Sequence, residues 1–146
     1  MKYGSLLSAC VIMLLVGCQN KKMETFNSPL ATVIKLNAAE TLMDFEEAKK
    51  YQDINKIYSK YAENNKVTPE DIWKEKITFF YNLAKDKKFT NQWEYFDYDI
   101  SERIGNTDAE VIFKSKDPGA SLLVITYKLE LRQSNWTVTD IVYEKK

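Results

Sequence analysis

Tyr95, Asp97, Tyr98 and Asp99 form the densest Asp/Tyr cluster in this 146-residue chain. A carboxylate lifted in pKa by an apolar pocket can take a proton from carbon, and a tyrosine hydroxyl beside it can hold the enolate that forms. That chemistry needs a buried aspartate. On a strand, Tyr95, Asp97 and Asp99 share one face while Phe96, Tyr98 and Ile100 share the other. With the aromatic face as core, Asp97 and Asp99 point at water, and this is the reading adopted here. Asp140 is a further candidate, but a bend or capping role suits it better. Glu46-Glu47 and Glu70-Asp71 are paired carboxylates on helices with lysines nearby, which reads as solvated surface.

Other chemistries drop out on residue type. The chain has no histidine, so the usual general base at neutral pH and the commonest metal ligand are missing. No Walker-type loop, glycine-rich dinucleotide turn or serine-nucleophile elbow occurs. Basic and acidic side chains number 21 each, which argues against a nucleic-acid partner. The aromatic side chains therefore read as core and pocket lining, not as a base-stacking platform. No cofactor and no metal site are expected. Asn135-Trp136-Thr137 matches a glycosylation sequon but falls in an expected strand pair and is discounted.

The elements that must position these residues divide the chain into three parts. Lys2 precedes an apolar run from Leu6 to Val16. As a helix that run spans about 16 Å, short of a hydrocarbon core of roughly 30 Å, so residues 1–17 read as a secretory signal peptide. Leu15-Val16-Gly17-Cys18 resembles the lipobox of bacterial lipoproteins. That resemblance implies cleavage before Cys18, acylation of its thiol and anchoring by lipid chains, each buried methylene contributing about 0.8 kcal/mol. Cys10 would be discarded with the signal, leaving the mature domain without a free thiol, a disulfide or a Cys/His metal site. Gln19, where an aspartate would favour inner-membrane retention, points to the outer membrane of a Gram-negative host. Residues 18–31 read as a flexible tether.

Residues 32–146 read as one α+β domain of N-terminal helices on a curved four-stranded antiparallel sheet. Leu36, Ala39, Leu42, Met43 and Phe45 suggest a helix near 32–50. Ile54, Ile57, Tyr58, Tyr61 and Ala62 follow helical spacing behind Asp53 as N-cap, with Asn64-Asn65 as the stop. Thr68-Pro69-Glu70-Asp71 opens another helix, with Trp73, Ile77, Phe80, Tyr81 and Ala84 on its apolar face. Lys74, Lys76, Lys85, Lys87 and Lys88 are assigned to its solvated side and last turn. From Gln92 the period becomes two, with turns at Gly105-Asn106, Asp117-Pro118-Gly119 and Ser134-Asn135. Trp136 and Val138 are out of phase with Ile141 and Tyr143, so a bulge is expected at Thr139-Asp140.

The element order and the closing Trp136-x-Val138-x-x-Ile141 strand resemble the nuclear-transport-factor-like, cystatin-like superfamily over about residues 35–145. The resemblance implies a cone-shaped sheet round a long helix and an apolar cavity at its open end. Its isomerase-type enzymes use an aspartate base with a tyrosine donor. Its dehydratase type uses histidines, which this chain lacks. For residues near the cavity mouth, Tyr81, Tyr95, Tyr127 and Trp136 are chosen for their amphipathic side chains. The expected function is a lipid-anchored envelope protein that binds a small molecule or an envelope protein without catalysis. An Asp/Tyr enzyme and a surface-acting structural or immunity-type lipoprotein are the alternatives, and the oligomeric state is left open.

Overall fold

The computed structural model of the chain describes residues 27–62, 66–85, 97–120 and 122–145. The expected signal peptide, Cys18, most of the expected tether, the expected Asn64-Asn65 stop, Lys87, Lys88 and Tyr95 lie outside these residues.

Capping chemistry sets the helix boundaries. Helix α1 runs Pro29–Thr41: Ser28 is extended, its Oγ accepts from the Ala31 N–H at 3.1 Å, and Pro29 takes the first helical position. The chain is therefore helical before residue 32, where the tether was expected to end. The expected helix over 32–50 is broken. Met43 has φ 56°, Leu42 is 78% exposed, and Asp44 starts α2 (Phe45–Ala48) by accepting from the Glu47 N–H at 3.1 Å. A 3-10 turn, Lys49–Tyr51, follows.

Helix α3 (Ile54–Ala62) is capped as expected, with Asp53 Oδ1 accepting from the Lys56 N–H at 3.0 Å. Helix α4 (Pro69–Lys85) opens on a reciprocal cap. Thr68 Oγ1 accepts from the Asp71 N–H at 3.2 Å, and Asp71 Oδ2 accepts from the Thr68 N–H at 3.2 Å. Trp73 and Ile77 on its inner side are buried.

Among the described residues four antiparallel strands follow in spatial order: β1 (Tyr98–Ile104), β2 (Asp108–Ser115), β3 (Leu122–Arg132) and β4 (Asn135–Lys145). The fold is α+β, with helices preceding an open sheet. Alternation buries Ala109, Val111 and Phe113 on β2 and Ile125, Tyr127 and Leu129 on β3. On β4 the register steps at Thr139, because Lys128 faces Asp140 while Leu129 faces Val138. This is the expected bulge, and it returns Ile141 to the buried face shared by Trp136 and Val138. The β3–β4 turn is Gln133-Ser134, one residue ahead of expectation, with φ 48° and 69°. Positive φ at both central residues is what the tight hairpin twist demands.

Helix α1 crosses β4 and β2, α3 lies against β4, and α4 packs mainly on α3. The longest of the described helices, α4, is thus layered over another helix rather than directly on the sheet. On the side of α4 that meets α1 and α2, Trp73 is fully buried, edge-on to Phe45 at 5.3 Å.

Candidate functional site

Asp97 and Asp99 are exposed, and the Asp99 side chain retains 75% of its accessible surface with Lys116 Nζ 4.0 Å away. Tyr98 turns inward, edge-on to Phe113 at 6.3 Å. The strand thus separates the cluster as its parity requires, and neither aspartate meets the burial that proton abstraction needs. Asp140 Oδ1 accepts from the Ile141 N–H at 3.0 Å and stands 3.1 Å from Lys60 Nζ, a bend-fixing arrangement at the bulge.

Of the residues expected at a cavity mouth, the described ones, Tyr81, Tyr127 and Trp136, are dispersed. Tyr127 is core: it is 2% exposed, stacks edge-on against Phe113 at 5.8 Å, and its hydroxyl donates to Asn37 Oδ1 at 3.0 Å. Trp136 is buried. Tyr81 is half-buried on α4, with Lys85 Nζ 4.3 Å from its ring centroid. Strand alternation already placed Tyr127 in phase with Ile125 and Leu129, so its amphipathic character was the weaker signal.

A cleft of about 210 Å³ lies elsewhere, where α3, α4 and β4 meet. Its walls are Ile57, Tyr58, Tyr61, Ile72, Lys76, Ile141 and Tyr143. The Asp53 cap aims Ile57 and Tyr58 inward one turn into α3, and the Thr139 bulge sets Ile141 and Tyr143 against them. Lys76 corrects the sequence reading, which put it on the solvated side of α4. It is half-buried, three residues after Trp73 and four after Ile72, so it shares their helix face. That spacing was the signal that could have found it.

The Lys76 ammonium donates to Tyr143 Oη at 2.8 Å and to Tyr58 Oη at 3.5 Å. It also stands 4.9 Å and 5.6 Å from the centroids of the same two rings, a cation–π seat. Burial costs this ammonium hydration and alone would lower its pKa. The oxygens of Tyr143 and Tyr58 and the Glu40 carboxylate outweigh that, and the net direction is up. Behind the cleft, Glu40 Oε1 accepts from Trp73 Nε1 at 2.7 Å and Gln52 Nε2 at 3.2 Å. Burial raises the Glu40 pKa against the opposing pull of Trp73, Lys76 and Gln52. Burial likewise pushes the Tyr58 phenol up.

Chemically, this is an apolar slot with one seated cation at its wall and a hydrogen-bonded carboxylate behind. It can hold a small molecule with an apolar body and an acceptor atom. For scale, a cavity of about 150 Å³ accommodates benzene. Among the described residues no group of three Cys, Asp or Glu gathers to hold a metal ion, and no helix is long and apolar enough to cross a membrane. Comparison with protein-family models, with curated proteins and with solved structures found no match to the chain.

Proposed function

We propose that this is a lipid-anchored cell-envelope protein whose α+β domain binds a small amphipathic molecule without transforming it. The observation that carries the binding half is the Lys76 cleft. Ile57, Ile72 and Ile141 offer an apolar bed, and the seated ammonium orients an acceptor. The exposure of Asp97 and Asp99 weighs against the proton-abstracting alternative. The anchoring half rests on the lipobox resemblance at Leu15-Val16-Gly17-Cys18. The helices-then-sheet order is also what the cystatin-like resemblance implies, and Gln19 after Cys18 is what points to the outer membrane.

Binding is tested by amide NMR titration with benzoate and benzyl alcohol, which share a ring and differ in charge. Saturable shifts confined to α3, α4 and β4, abolished in Lys76→Met, support the reading. Shifts scattered over the surface, or unchanged in Lys76→Met, overturn it. Anchoring is tested by mass spectrometry of the membrane fraction: acyl mass on the wild type and none on Cys18→Ala is expected, and an unacylated soluble wild type removes the anchor.

A further inference from the structure

We propose that β1 is the contact strand of a symmetric homodimer, in which two copies pair edge to edge, antiparallel, about a two-fold axis at Ser101. The backbone carries the first part of the inference. The Lys116 N–H donates to Asp97 O at 2.9 Å and the Gly105 N–H to Asp108 O at 2.8 Å. An antiparallel ladder alternates hydrogen-bonded with non-hydrogen-bonded pairs. Odd-numbered residues of β1 therefore bond to β2, and Tyr98, Ile100, Glu102 and Ile104 turn their N–H and C=O groups outward. Among the described residues no strand lies on that side. Such an edge is a pairing template, and β1 has no proline to blunt it. Glu102, the one charge on its inner face, is engaged by the Leu30 N–H at 2.8 Å.

The side chains choose the occupant. With the axis at Ser101, Ile100 faces the partner's Glu102 and Glu102 the partner's Ile100, so these outward groups meet as hydrogen-bonded pairs. Asp99 then faces the partner's Arg103 in a non-hydrogen-bonded pair, where side chains approach most closely. Within one copy Arg103 already stands 3.3 Å from Glu110 on β2, and Asp99 lies opposite Lys114 and 4.0 Å from Lys116. Pairing two copies therefore continues an alternating ladder across four strands: Glu110, Arg103, the partner's Asp99, the partner's Lys114. Symmetry makes it twice.

Other registers are poorer. An axis at Glu102 sets that carboxylate against its own copy. An axis at Ile100 leaves Arg103 and Ile104 beyond the partner's strand. An axis between residues mismatches the outward-facing groups. On the inner face, pairing at Ser101 makes Ile100, 37% exposed, a diagonal neighbour of the partner's Ile100 and of the partner's Ile104, a residue 59% exposed in one copy.

The test uses the full chain in detergent with Cys10 and Cys18 replaced by serine. Ser101→Cys should give a disulfide-linked dimer on mild oxidation, because paired Cα atoms at the axis lie about 4.5 Å apart, within disulfide range. Arg103→Cys should not. In sedimentation, Asp99→Arg should halve the molar mass of the wild-type dimer, and Asp99→Arg with Arg103→Asp should restore it, with circular dichroism reporting the fold throughout. A wild type monomeric at high micromolar concentration overturns the proposal. So does a dimer that Asp99→Arg leaves intact, or equal cross-linking at positions 101 and 103.

Discussion

Strand β3 buries Ile125, Tyr127 and Leu129 on its helix-facing side, whereas β1, two strands away in the same sheet, keeps Ile100 and Ile104 in water. Both strands alternate, and both carry β-branched residues in phase. The difference is cover. Among the described residues, helices α1 and α3 reach β4 and β2 more fully than α1 reaches β1, where the Leu30 N–H at its start donates to Glu102. Alternation decides which side a residue faces, and the breadth of the helical layer decides whether that side is dry. A sheet wider than its cover thus has a stabilising part and a presenting part.

The sharpest way to break this contrast is to truncate one residue on each part. Phe113→Ala, fully buried on β2, should cost about 4 kcal/mol in urea unfolding, while its register partner Ile100→Ala should cost about 1 kcal/mol or less. Equal costs would mean that β1 is covered after all. Next comes the polar post beneath the helices. Trp73→Phe keeps the ring edge against Phe45 but removes the indole N–H from the buried Glu40 carboxylate, and should lose about 2 kcal/mol. A loss no greater than that of Ile100→Ala would show that Glu40 finds other donors. The smallest effect concerns the turn of the covered hairpin. Ser134→Gly relieves a left-handed φ of 69° and should raise stability by about 0.5–1 kcal/mol, seen as a higher thermal midpoint. A fall would show that the serine is needed there.

Much of the frame is legible from residue spacing alone. The Asp53 and Thr68-Pro69 caps are local chemistry and stand where spacing put them. The bulge is legible because Val138 and Ile141 cannot both be buried without an extra residue. The break at Met43 is hidden, because the apolar stripe runs through it. Its trace is Asp44 three residues before Glu47, which reads as a cap only once the stripe is distrusted. The cleft is the least legible feature. It joins α3, α4 and β4 across long separations, and its key cation sits in a run of lysines that otherwise suit solvent. Tyrosine identity marks no site by itself: Tyr127 and Tyr58 have similar side chains, and tertiary packing makes one a core strut and the other a wall.

The chain enters α1 at a doubly fastened point. Asn27 Nδ2 donates to the carbonyl of Ser134 in the β3–β4 turn, and three residues later the Leu30 amide is held by Glu102 on the opposite margin of the sheet. Tension applied ahead of residue 27 would therefore be shared between both borders of the sheet before it could peel α1 away, giving the domain a mechanical clasp where the chain enters it.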